Sequence, residues 1–194
     1  MSRPDPKARR ELAARIAQVT AGELTGAALV AALEAIVADD PGNTQAHLRL
    51  GYARLEANDC VRADPEFHAA IASGLPSADA YLGVATCAGR RNDLAAARRA
   101  LDAARRLEPD NPVILANVGI LQASSGDDAH AIESLKSALA RDPDLHEARF
   151  NLALAFARAG RRGDAAAAAR DLLARLPPSA PQRSEVERLL RAVR

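Results

Sequence analysis

The chain has 194 residues, 48% of them hydrophobic and 26% charged, with a formal net charge of +1. So even a balance excludes a large field steering the chain to nucleic acid or an acidic membrane, and two cysteines exclude a disulfide framework. Only 3% of residues are aromatic and Trp is absent, so Ala and Leu must supply the core, a composition that favours helix and close packing of small side chains.

Residues 1–9, with Pro4 and Pro6, read as a frayed lead. The opening MSRPDPKARRELAARIAQVT has no apolar stretch of signal-peptide type, and no run approaches the ~18 apolar residues of a membrane span. A cytoplasmic, soluble protein is expected if the chain is full length. Residues 10–43 follow as a degenerate helical pair: Leu12, Ile16 and Val19 recur at helical spacing, and after Gly22, Thr25 caps a second helix striped by Leu29, Leu33, Ile36 and Val37.

In 44–77, Pro65 lies inside the second helix, where it removes a hydrogen bond at about 3 kcal/mol. A kinked helix is read here in preference to a late start capped by Asp64. Gly74, Pro76 and Ser77 mark the next boundary. In 78–111, Arg98, Arg99, Arg105 and Arg106 read as a solvated face balanced by Asp93, Asp102 and Glu108, since no aromatic residues for base stacking stand nearby. Asn111-Pro112 opens the helix of 112–145 with a cap and a proline at its first position. In 146–179, the run Ala165 to Ala169 offers a flat surface. The tail 180–194 is a capping helix: Ser184 and Glu187 form a capping-box signature, and Val186, Leu189, Leu190 and Val193 share the face that covers the last apolar surface.

A step of 34 residues organises these pieces. Numbered from the start of each unit, places 8, 20 and 27 hold Gly51, Ala63 and Ala70, then Ala85, Ala97 and Ala104, then Gly119, Ala131 and Ala138. The last unit keeps Ala153 and Ala165 but has Leu172 at place 27, and the first keeps Ala17 and Pro41 while placing Leu29 and Ile36 where small residues are expected. Place 32 holds Pro109, Pro143 and Pro177, with Pro76 one place late. Antiparallel helices approach closely only where a surface lacks bulk, so Gly119 is expected to face Ala131, and a buried proline-bearing turn resets the chain.

This pattern resembles the tetratricopeptide repeat, TPR, although Leu115 and Gln122 depart from it. The resemblance implies an all-α fold, a right-handed α-solenoid of stacked helix-turn-helix units (44–77, 78–111, 112–145, 146–179) with a C-terminal capping helix. It also implies a concave groove lined by places 2, 5, 6, 9, 12 and 13 of the first helices. Those places supply Leu48, Arg49, Tyr52 and Leu55; Leu82 and Thr86; Val113, Ala116, Asn117 and Ile120; and Phe150, Asn151 and Leu154. The TPR modules that grip chaperone tails need Lys at place 5 and Asn at place 9, which this chain lacks. Asn117 and Asn151, both at place 6, are similar to the asparagine ladder of TPR superhelices attached to protein O-linked N-acetylglucosamine transferases. A purely local role for the two amides is the competing reading.

Chemistry beyond binding has little support. His47, His68, His130 and His146 have no second ligand at metal-site spacing, and each reads as a surface or packing residue. Cys60 and Cys87 read as reduced small hydrophobes. No acid, base and nucleophile are brought together by sequence, so no enzyme, cofactor or metal is expected. The expected function is a scaffold binding a partner protein or peptide. Two other readings are a recruiting module severed from a larger enzyme, with weak resemblance in QAHLRLGYARL, GLPSADAYLGVA and LPPSAPQRSEVERLL to the TPR tails of bacterial sulfatase-like proteins, and a helical-repeat nucleic-acid binder, whose step would be 35 residues.

Overall fold

The computed structural model describes residues 6–74 and 77–193, with side chains described from Glu11 onward. Among the described residues there are eleven helices and no strand. They are α1 (Pro6–Thr20), α2 (Gly26–Asp39), α3 (Thr44–Glu56), α4 (Cys60–Ala72), α5 (Ala78–Arg90), α6 (Leu94–Leu107), α7 (Pro112–Ser124), α8 (Asp128–Arg141), α9 (His146–Arg158), α10 (Arg162–Arg175) and α11 (Arg183–Ala192).

Local chemistry repeats with the 34-residue step. The turn inside each pair passes through the left-handed region at Asn58 (φ 60°), Asn92 (58°), Gly126 (82°) and Gly160 (74°). Glycine has no Cβ to clash there, and Asn is among the few side chains that tolerate it. The next residue then caps the second helix. Asp59, Asp93 and Asp127 accept from the backbone N–H of Arg62, Ala96 and His130 at 3.1, 2.9 and 3.3 Å. Asn43, Ser77 and Asn111 do the same for α3, α5 and α7. Each cap satisfies an N–H that the helix itself leaves unpaired. The last unit loses both caps, with Leu145 and Arg161 in those places making no side-chain bond.

Several expectations need correction. α1 begins at Pro6, so residues 6–9 are helical where fraying is expected, while residues 1–5 lie outside the described residues. Thr25 stands at the N-cap of α2, yet its side chain makes no capping bond. The Ser184–Glu187 capping box does not form: α11 starts at Arg183, which puts Ser184 inside the helix, and its hydroxyl donates to the Pro181 carbonyl at 3.4 Å. Pro109 and Pro143 are exposed rather than buried, because a proline stops a helix through its missing N–H and needs no burial to do so. Pro76 lies outside the described residues. α4 runs from Cys60 through Pro65, so the late start is excluded.

The chain forms two compact units, Met1–Ala100 and Leu101–Arg194, divided within α6. In the first, α1 packs on α2, α2 on α3, α3 on α4 and α4 on α5, and α3 also touches α5. Phe67 of α4 is its largest fully buried side chain, held where two glycines make room. A Cβ on Gly51 would sit 2.7 Å from the Phe67 ring, and one on Gly83 only 2.4 Å from it. Tyr52 closes the site with a T-shaped contact, ring centroids 5.1 Å apart.

In the second unit α7 packs on α8, α8 on α9, α9 on α10 and α10 on α11, and α7 also touches α9. Gly119 faces Leu135 first, where a Cβ would come within 2.7 Å of Cγ, and then the backbone oxygen of Ala131 at 3.2 Å. The expected pairing with Ala131 is thus a backbone approach beneath a leucine. As α11 covers α10, Val186 is buried in one cluster with Ala169 and Val193 in another with Ala165, while Leu189 and Leu190 pack half-buried against both.

Candidate functional site

The small residues at places 8, 20 and 27 lie buried in the four units from 44 to 179, from Gly51, Ala63 and Ala70 to Ala153 and Ala165, whereas Ala17 at place 8 of the degenerate first unit is exposed. Their burial turns the opposite face of each first helix outward, because residues three and four apart share a helix face. In the second unit that face carries Val113, Asn117 and Ile120 on α7, and Phe150, Asn151 and Leu154 on α9. Val113 is exposed and the other five are half-buried, whereas Ala116 is buried and belongs to the floor.

The two asparagines are held alike. Asn117 Nδ2 donates to the Val113 carbonyl and Asn151 Nδ2 to the Glu147 carbonyl, each at 2.9 Å. These are bonds to the residue four back on the same helix. An amide has two hydrogens and a carbonyl oxygen, so each side chain is oriented by one donor and keeps a second donor and an acceptor.

The first unit brings Leu48, Arg49 and Tyr52 together differently. They line an open cavity of about 440 Å³ shared with Val19, Leu24 and Leu29. Arg49 Nη1 donates to the Val19 carbonyl at 3.0 Å, tying α3 to the end of α1. Tyr52 is a tie between repeats as much as a groove residue, for its hydroxyl donates to the Asp79 carbonyl at 2.8 Å. Burial, then the Asp79 carboxylate, pushes that phenol up to about 12. Leu55 and Leu82 are buried in the floor, and the Thr86 hydroxyl donates to its own helix at Leu82 O, 2.8 Å.

Sequence reasoning passes over a polar cluster beneath this face. His47 is buried with Nδ1 2.6 Å from Glu66 Oε2 and Nε2 3.1 Å from the Pro41 carbonyl. Arg54 Nη1 donates to Glu66 Oε1 at 2.5 Å, and Nη2 to Glu34 Oε1 at 2.7 Å. Residues 34, 47, 54 and 66 share no spacing that would flag them, so only the packing of α2, α3 and α4 unites them. Cys60 and Cys87 are both buried free thiols, and burial followed by the neighbouring Cys60 pushes Cys87 up to about 12. Such a thiol stays protonated and unreactive near neutrality. Among the described residues no three His, Cys, Asp or Glu side chains group as a metal site, and no helix is long and apolar enough to cross a membrane.

Comparison with known proteins follows the same lines. A tetratricopeptide repeat model matches residues 48–112 and 119–181, more than half of the chain. No curated protein matches. Among solved structures, a thermophilic TPR protein of Thermus thermophilus is similar with a TM-score of 0.73 and 21% identity, covering 94% of this chain and 98% of that one. MamA from Desulfovibrio magneticus gives a TM-score of 0.70 at 15% identity over 88% and 96% of the two chains. YrrB, described as a TPR protein with an unusual peptide-binding site, gives 0.64 at 17% over 85% and 84%. With the repeat step, the turns, the caps and the buried small residues in agreement, the chain belongs to the tetratricopeptide repeat family.

Proposed function

We propose that the chain is a non-catalytic scaffold, and that in its second unit an extended segment of a partner protein lies across α7 and α9. Stacked helical repeats present extended binding surfaces as their general mode of action. The peptide-binding site attributed to YrrB agrees with that class of ligand. The observation that carries the reading is the matched pair Asn117 and Asn151, each pinned by one amide hydrogen to its own helix at 2.9 Å.

Packed helices lie roughly 8–10 Å apart, and an extended chain advances about 3.3 Å per residue. The two amides therefore match peptide groups about three residues apart on one bound segment. Ile120, Phe150 and Leu154 supply apolar surface beside them. Main-chain recognition of this kind tolerates many partner sequences, leaving side-chain selection to the apolar floor.

The test is titration of a partner captured with the tagged chain and identified by mass spectrometry. Asn117→Ala and Asn151→Ala should each weaken binding by about 0.5–1.5 kcal/mol, the usual net value of one hydrogen bond. Lys136→Ala, on the exposed face of α8, should leave it unchanged. Unaltered affinity in both asparagine variants, with loss in the Lys136 variant, would place the partner on the other face.

A further inference from the structure

Where α9 meets the end of α10 and the start of α11, the second unit holds a cavity of about 300 Å³. Its floor is apolar: Phe150, Leu172, Leu176 and Val186. Its rim is acidic, with Glu147 from the first turn of α9 and Glu185 from the first turn of α11. Both carboxylates are exposed, and neither meets a cation within ion-pair distance among the described residues.

Two of the neighbouring arginines are engaged elsewhere, and Arg188, one turn along α11 from Glu185, makes no ion pair with it. Arg149 donates to Asp171 at 2.5 Å and to the Pro143 carbonyl, and Arg183 donates to the Leu173 and Leu176 carbonyls at 2.8 and 2.9 Å. At the same rim, His146 has its ring Nδ1 buried without a hydrogen-bond partner. Buried polar atoms in folded proteins are nearly always paired, with protein groups or with water, so this nitrogen leaves one hydrogen-bonding position open beside the rim.

We propose that this cavity anchors a partner peptide through an apolar side chain seated on Phe150, Leu172, Leu176 and Val186, followed by a basic residue held between Glu147 and Glu185. The inference rests on the groove reading above and names the side-chain chemistry of its occupant. About 300 Å³ stands at the lower end of ligand pockets, roughly 300–1,000 Å³, which suits one side chain of a peptide better than a cofactor. Phe150 belongs both to the groove face and to the cavity floor, so a segment crossing Asn151 leads directly into it. Two like charges at an apolar mouth repel an acidic segment and favour a cationic one, giving selection as well as attachment.

The experiment uses fluorescein-labelled decapeptides of glycine, serine and alanine around a central Leu-Arg pair, with matched Leu-Glu and Ser-Arg peptides, and reads anisotropy against the full chain. Leu-Arg should bind at least tenfold more tightly than either control and lose affinity steeply with salt. Glu147→Lys combined with Glu185→Lys should reverse the preference between the Arg and Glu peptides. Should that pair disturb the fold by circular dichroism, Glu147→Gln with Glu185→Gln should abolish the preference without adding charge. Asn117→Ala with Asn151→Ala should weaken the Leu-Arg and Leu-Glu peptides by the same factor, leaving the preference intact. Equal binding of the three peptides, no binding at all, or a preference that survives removal of both carboxylates overturns the anchor. Insensitivity to the asparagines alone would overturn the main-chain reading of the groove instead. Self-association of the wild type that the carboxylate variants lose would assign the cavity to a second copy of the chain and overturn the partner peptide.

Discussion

Phe67 shows how single residues set the spacing of this molecule. Its ring fills the space left by Gly51 on its own repeat and Gly83 on the next, and the same relation recurs between Leu135 and Gly119. Gly119→Leu should lower stability by about 1–3 kcal/mol through overpacking, even though Gly is a poor helix former and its replacement on a solvent face would help. Urea denaturation checks the sign, and an unchanged midpoint would contradict the close approach. Electrostatics at this scale is local. A hydrogen bond from His130 Nδ1 to the Asp127 carboxylate raises His130 above its usual 6.5, and the same bond holds Asp127 below 3.8. The His130 contribution is therefore fully present below pH 6.5 and disappears as pH rises through its raised value. That of Asp127 is present above 3.8 and disappears as pH falls through its lowered value. NMR titration should give His130 a pKa above 6.5, returning toward it in Asp127→Asn.

At the scale of the helix, the caps decide where elements begin. Asn111 accepts from Val113 N and Ile114 N at 2.9 and 3.3 Å, so Asn111→Ala should cost about 1 kcal/mol in chemical denaturation. Thr25→Ala, at a cap whose side chain makes no bond, should be near neutral. Equal effects would contradict the distinction. The same comparison explains what could be read from sequence. Gly51, Ala63 and Ala70 and their counterparts were legible because close helix packing restricts residue type at fixed places. The caps at 43, 77 and 111 and at 59, 93 and 127 keep the same step and were open to the same count. Gly83 was not legible: it sits outside the small-residue places, and its reason is a ring from the preceding repeat. The His47–Glu66–Arg54–Glu34 cluster joins three helices through side-chain reach alone, which no periodicity records. The place of Tyr52 marks it as a groove residue, but its bond to Asp79 O also makes it an inter-repeat tie.

For the molecule as a whole, the repeats supply stability by nearest-neighbour stacking, which leaves one face of the first helices outward. Ties such as Arg141 to Asp110, and Arg175 to Asp144 at 3.2 Å, link successive repeats of the second unit at its surface. Exposed pairs of this kind contribute little each, about 0–1 kcal/mol, so the buried small residues carry the register. The functional claim concerns the face that this packing leaves open across α7 and α9. Its most direct test is site-specific photo-crosslinking, with benzoylphenylalanine placed at Val113 on the groove face and, separately, at Lys136 on the opposite side, both exposed positions. A partner polypeptide should crosslink from position 113 and not from position 136. Crosslinking from 136 alone would contradict the groove as the binding surface.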